Sequence, residues 1–337
     1  MKKLFPMTHM MLDARCCPKL RGLFFELLIF YLAYWVIKMI ESIIAAIPQT
    51  AFLLQDTELA LMLTRENMET LTVEEFTTAF TDAALRMPPW VVLFTLFATV
   101  ITVVGAIFVC VKLEKRNLSS MGVRRRGALV EYLIGLGLGA VLFGLAVLIA
   151  WGTGAVSIQF QPEADLGMIA LFFLAFMVQA LSEELLCRGY LMMTLSRTAS
   201  PLASVLISAM VFAALHSGNT AVTPLALLNI TLVGIVFGVY MLKRGSIWGA
   251  AAMHAAWNFV QGNIFGAPVS GTTMGASLFT VSFNATKTHV SGGDFGLEGG
   301  LAVTIVLLIA LGLVFPLKTK QSELVSVYKE EDRAAQE

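Results

Sequence analysis

Apolar runs long enough to cross a bilayer recur along this chain from one end to the other. A helix needs roughly 20 mostly apolar residues to span hydrocarbon. Eight such stretches stand out: Gly22 to Pro48, Trp90 to Val111, Ala128 to Trp151, Leu166 to Leu186, Pro201 to Leu215, Pro224 to Leu242, Ile247 to Phe265 and Leu301 to Leu317. Only helices and closed barrels satisfy their own backbone in lipid, and these runs are continuous rather than alternating every second residue. The expected fold is therefore all-α, a polytopic membrane helical bundle of about eight transmembrane helices. Composition agrees, with 57% hydrophobic and 14% charged residues, against roughly a half and a quarter in soluble domains.

Charge sets the expected orientation, because Lys and Arg gather on the cytoplasmic side. All but four of the 23 basic residues fall in the N-terminal segment and every second connection after it. They are Lys2, Lys3, Arg15, Lys19, Arg21, Lys112, Lys115, Arg116, Arg124, Arg125, Arg126, Arg188, Arg197, Lys243, Arg244, Lys318, Lys320, Lys329 and Arg333. Arg65, Arg86 and Lys287 lie on the opposite side, and Lys38 is inside the first helix. A multi-pass cell-membrane protein with both termini cytoplasmic satisfies this alternation. The first run is too long for a signal-peptide core and is expected to stay as a helix. The net charge of +0 gives no reason to expect a nucleic-acid partner. The basic runs flank membrane segments, where anionic lipid is the natural partner. Cys16, Cys17, Cys110 and Cys187 fall at or near the expected cytoplasmic side and are expected to be free thiols.

The chain divides into a cytoplasmic segment (1–21), N-terminal membrane helices with an acidic outer loop at 49–89 (22–165), a core (166–265), an outer Gly-rich loop with the last helix (266–317), and a charged cytoplasmic tail (318–337). The acidic loop carries Asp56, Glu58, Glu66, Glu69, Glu74, Glu75 and Asp82. Its apolar rhythm fits a surface helix over the bundle mouth as well as it fits a solvated spacer.

Ionisable side chains inside a membrane helix cost roughly 2.5–3.5 kcal/mol and point to function. Here they concentrate on three segments. The fourth run ends Gln179-Ala-Leu-Ser-Glu183-Glu184-Leu-Leu-Cys-Arg188, the fifth ends Phe212-Ala-Ala-Leu-His216, and the seventh contains His254-Ala-Ala-Trp-Asn258. A turn at Thr198 to Pro201 puts Glu184 and His216 at the same level, each about 24 Å from it at 1.5 Å per residue. A carboxylate facing a His can hold and deprotonate a water, and a His one turn from an Asn can aim two N–H donors at an oxyanion. Arg188, one turn past Glu184, can hold the charge of the pair. Adjacent helical residues point about 100° apart, so Glu183 and Glu184 cannot both face one water. Lys38 and Glu41 are expected to neutralise each other, Glu26 and Glu131 to reach an interface, and Asn229 and Gln179 to bond between helices.

At these residues the chain resembles the CAAX-processing and bacteriocin-processing membrane proteases, also called the abortive-infection family. Glu183-Glu184-Leu-Leu-Cys-Arg188, Phe212 to His216 and His254 to Asn258 look like that family's EExxxR, FxxxH and HxxxN motifs. The resemblance covers about residues 166–262. It implies an intramembrane glutamic endopeptidase without cofactor or metal, acting on a membrane-associated peptide or protein substrate, plain or lipidated. In it Glu183 and His216 activate water, His254 and Asn258 form the oxyanion site, and Glu184 and Arg188 support them. Cys187, where many relatives carry Phe, is a departure expected to affect packing.

Three other readings compete. A Glu with two His is also a zinc set, and chelation discriminates it. Intramembrane Glu and His also build proton relays in transporters, which do not cleave peptides. A non-catalytic scaffold would tolerate Glu183→Gln.

Overall fold

The computed structural model describes residues 6–16, 22–62, 64, 72–85 and 87–319. Lys2, Lys3, Cys17, Lys19, Arg21, Arg65, Glu66, Glu69, Arg86, Lys320, Lys329 and Arg333 lie outside these. The helices in chain order are α1 (His9–Arg15), α2 (Leu23–Leu53), α3 (Thr57–Met62), α4 (Val73–Leu85), α5 (Pro89–Leu113), α6 (Ala128–Gly152), α7 (Leu166–Leu195), α8 (Pro201–Leu215), α9 (Pro224–Arg244), α10 (Trp248–Phe259), α11 (Thr288–Ser291) and α12 (Leu301–Val314). The chain is mainly helical, as expected. Two short strands, β1 (Val156–Phe160) and β2 (Phe279–Phe283), pair antiparallel with Ile158 opposite Val281, a ribbon that the apolar-run reading did not anticipate.

All eight apolar runs form helix, but among the described residues only α2, α5, α6, α7 and α9 are long and apolar enough to cross a membrane. The expectation of about eight crossings is not met by length. At about 1.5 Å per residue, the 15 residues of α8 and the 14 of α12 reach well short of a hydrocarbon core roughly 30 Å thick. Trp248–Phe259 is shorter still at 12 residues, extended by a π-helical turn at Val260–Ile264. Apolarity reports burial in protein as well as in lipid, and α10 is the clear case: every residue from Gly249 to Asn258 is buried.

Helix α10 is the centre of the bundle, packed against α6, α7 and α9. Its run of small residues admits close backbone approach, the device that joins helices where water supplies no driving force. Gly135 and Gly139 of α6 sit directly on it: a Cβ on Gly135 would meet the Gly249 carbonyl oxygen at 2.2 Å, and one on Gly139 would meet that of Met253 at 2.2 Å. Helices α2 and α5 flank α7, and α8 and α12 flank α9. The outward surface is the inverse of a soluble protein's, with Phe24, Leu32, Trp35, Ile43, Leu129, Leu133, Leu148, Leu308 and Leu313 all exposed; an apolar surface of this extent calls for lipid around it.

Two expectations about charge are corrected. Glu26 and Glu131 do not reach out to an interface. Glu26 is buried 3.5 Å from Arg197, which also meets Glu114 at 3.5 Å, and Glu131 takes two hydrogen bonds from Arg244 at 2.8 and 3.0 Å. Burial of a carboxylate costs more than reaching an interface unless a cation meets it, and Arg197 and Arg244 come from distant sequence. Lys38 does pair with Glu41, which also accepts from Thr102. Cys16 and Cys187 are free thiols. In the acidic loop α4 does form, started by a capping box in which Glu75 Nα donates to Thr72 Oγ1 and Glu75 Oε2 accepts from Thr72 Nα at 2.9 Å. It packs on α3 through Leu59, Ala79 and Ala83.

Candidate active site

The turn of the α7–α8 hairpin falls where Pro201 stops further helix on its N-terminal side: α7 ends at Leu195, and Ser200 caps α8 with Pro201 as its first residue. Directly after Glu184 the backbone of α7 widens into a π-helix, Leu185–Met192. Widened turns of this kind collect at functional sites. Arg116, from the α5–α6 connection and nearly fully buried, holds this one by donating to the carbonyls of Gly189 at 3.1 Å and Tyr190 at 3.2 Å and to Thr194 Oγ1 at 2.6 Å.

Glu184 and Arg188 are both fully buried, with Arg188 Nη1 donating to Glu184 Oε1 at 2.9 Å. The guanidinium also lies over the ring of Phe212 at 4.1 Å and that of Phe237 at 5.6 Å. Aromatic faces are a fitting environment for a desolvated cation. Glu184 Oε1 in turn accepts from His254 Nδ1 at 3.0 Å. That bond puts the Nδ1 proton on a carboxylate and leaves Nε2 of the ring for the other side. Phe237 stacks on His254 at 5.2 Å and Phe212 meets it edge-on at 6.1 Å, so the ring has no freedom to turn.

Glu183 points elsewhere, as the 100° step between neighbours requires. Its Oε1 accepts from Gln179 Nε2 at 2.7 Å, while Oε2 stands 3.7 Å from His254 Nε2 and meets no donor within hydrogen-bond range. Gln179 links this carboxylate to α10, because its Oε1 accepts from Asn258 Nδ2 at 3.1 Å. One N–H of the Asn258 amide is thereby engaged and the second is free to donate. His216 caps the end of α8 and bonds through Nδ1 to the Phe212 carbonyl at 2.8 Å. A carbonyl can only accept, so Nδ1 donates this bond and Nε2 is the ring nitrogen left for another partner.

Glu183, His216, His254 and Asn258 line one cavity of about 350 Å³, whereas Glu184 and Arg188 lie behind its wall. Helices α7, α8 and α10 thus bring all six expected residues into one cluster. Among the described residues no three His, Cys, Asp or Glu side chains are arranged to hold a metal ion.

Residues 165–260, which contain this whole cluster, match the family model described as type II CAAX prenyl endopeptidase Rce1-like. Over this stretch the chain is similar to that family. The matched stretch starts one residue before α7 and ends just past α10, and it is the part of the bundle that carries the polar cluster. The match supports a membrane-protease role for the chain. No curated protein and no solved structure matched the chain.

Several cavity residues escaped the reading of motifs. Tyr34 and Lys38 come from α2, Thr102 from α5, and Ser270 and Glu298 from the Gly266–Gly300 connection, all outside the matched stretch. Their only signal in sequence was a polar residue in or beside an apolar run. Phe212 holds Arg188 by its ring and His216 by its carbonyl. Cys187 is buried against Phe212 and Phe295 and also borders the cavity. None of the described side chains of the acidic-loop helices α3 and α4 lines it.

Proposed function

We propose that the chain is an intramembrane glutamic endopeptidase that hydrolyses a peptide bond in a membrane-associated peptide or protein, plain or lipidated. The observation that carries this reading is the shared cavity: two bases, Glu183 and His216, and two oxyanion donors, His254 and Asn258, face one space. A water held by Glu183 and His216 attacks the carbonyl carbon of the scissile bond and gives its proton to Glu183. The carbonyl oxygen takes the negative charge and meets the free N–H of Asn258 and Nε2 of His254. For Nε2 to donate while Nδ1 donates to Glu184, the ring must carry both protons, with the carboxylate of Glu184 at 3.0 Å on one side of it and that of Glu183 at 3.7 Å on the other. Collapse of the tetrahedral intermediate breaks the C–N bond, and the proton taken from water passes to the leaving amine.

The basic-residue distribution supports both termini in the cytoplasm. The test is cleavage of a panel of quenched fluorescent peptides, prenylated and plain, by detergent-purified protein, with and without chelator. Glu183→Gln is expected to lower cleavage by roughly 10²–10⁴-fold and chelator to leave it unchanged. Loss of activity on chelation would favour a zinc enzyme. No cleavage of any peptide by folded protein would favour a transporter or scaffold.

A further inference from the structure

The connection from Gly266 to Gly300 is tied into the bundle on three sides. Gln261 Nε2 donates to the Pro268 carbonyl at 2.5 Å, Asn263 Nδ2 to that of Ala276 at 2.7 Å, and Asn229 Nδ2 to those of Glu298 at 2.8 Å and Gly300 at 2.9 Å. Thr304 Oγ1 holds the Asn229 amide from the other side at 2.7 Å. The connection therefore brings Glu298 to the cavity wall as a fixed group, only 9% exposed. Ser270, whose backbone is left-handed at φ 49°, turns both its N–H and its hydroxyl onto Glu298 Oε1, the latter at 2.7 Å. The carboxylate is thereby oriented, and its second oxygen meets no donor among the described residues.

Among the described residues no Lys or Arg meets Glu298 within ion-pair distance, and burial pushes its carboxyl above the usual carboxylate range. Lys38 also lines the cavity, but its amine is paired with Glu41. His216 and His254 act on Glu298 only from beyond ion-pair distance. A carboxylate removed from water and bonded to neutral donors alone is poorly compensated, and the cavity as a whole presents Glu183 and Glu298 to whatever enters it. We propose that Glu298 forms a specificity subsite for a basic side chain of the substrate near the scissile bond. This rests on the protease reading above, since it gives that reaction a substrate class. A bound Lys or Arg would supply the missing partner, and a neutral residue of the same length would leave the carboxylate uncompensated.

The experiment uses N-acetylated octapeptide amides carrying lysine, or norleucine of matching length, at each position in turn. Turnover is measured with wild type and Glu298→Gln, and binding of the same peptides, fluorescently labelled, is measured by anisotropy on both proteins. At one position wild type is expected to prefer lysine by at least roughly tenfold in kcat/KM, with Glu298→Gln bringing the ratio to within about twofold. Glu298→Asp keeps the charge and serves as the second variant; it should retain the direction of the preference. Equal use of lysine and norleucine at every position overturns the subsite, as does an undiminished preference in Glu298→Gln. The binding arm separates the two readings. Lysine-selective binding lost in Glu298→Gln, with no peptide cut, supports the subsite and sinks the protease. Glu183-dependent cleavage without lysine preference does the reverse, and absence of both cleavage and selective binding overturns both.

Discussion

His254 Nδ1 stands 3.0 Å from Glu184 Oε1, so one buried carboxylate oxygen joins the central helix to the π-helical segment of α7. The same oxygen takes Arg188 Nη1 at 2.9 Å. Removing Glu184 leaves both Arg188 and His254 without this partner, and removing either of those leaves Glu184 with one, so Glu184 supports the proposed oxyanion site from behind the cavity wall.

Arg188→Ala should destabilise the fold by about 3–5 kcal/mol, the usual cost of stranding one half of a buried ion pair. Both partners are fully buried and Glu184 would keep only His254. Thermal or denaturant unfolding in detergent measures it. Wild-type stability in the variant would show that the pair contributes nothing to the fold.

Gly139→Ala should move the site without touching it. Its Cβ would fall 2.2 Å from the Met253 carbonyl oxygen, one residue before His254. Overpacking of this kind costs about 1–3 kcal/mol, and a displacement of about 1 Å in a catalytic group can cost roughly 10²-fold in rate. Gly137→Ala is the control, because nothing lies within 4 Å of its Cβ; cleavage should be unaffected there. Equal cleavage by both variants would mean that α10 tolerates a wider spacing from α6.

Docking of α1 should weaken in acid. His9 is 3% exposed, and neither ring nitrogen has a hydrogen-bond partner among the described residues. Burial lowers its pKa first and the nearby Arg124 lowers it further, against an opposing pull from Asp13. The undocked ring therefore binds a proton more readily than the docked one. Stability of the docked state is fully present above the unperturbed value of about 6.5 and is lost as pH falls below it. Hydrogen exchange over residues 9–15, corrected for intrinsic rate, should accelerate between about pH 7.5 and 5.5. In His9→Phe that acceleration should vanish, and its persistence would place the titrating group elsewhere.

The helical class, the α7–α8 turn at Pro201 and the six clustered residues were all legible in the chain. Each rests on short-range rules: length of apolar run, proline chemistry, and the i, i+4 spacing that puts Glu184 with Arg188, Phe212 with His216 and His254 with Asn258 on shared faces. The division of labour between Glu183 and Glu184 was half legible. Spacing shows that they diverge, and it took the positions of Gln179 and His254 to show which one faces the cavity.

What the sequence by itself determined is which segments are apolar helix and which side chains share a helical face, because both follow from a fixed rise and rotation per residue. Only the tertiary structure decided that the apolar α10 is short and enclosed, that Glu26 and Glu131 find Arg197 and Arg244, and that Glu298 reaches the cavity from a Gly-rich connection. Those outcomes depend on which distant surfaces meet. A pairing between a carboxylate and a guanidinium many residues away is set by packing and desolvation across helices, and no local period in the chain records it.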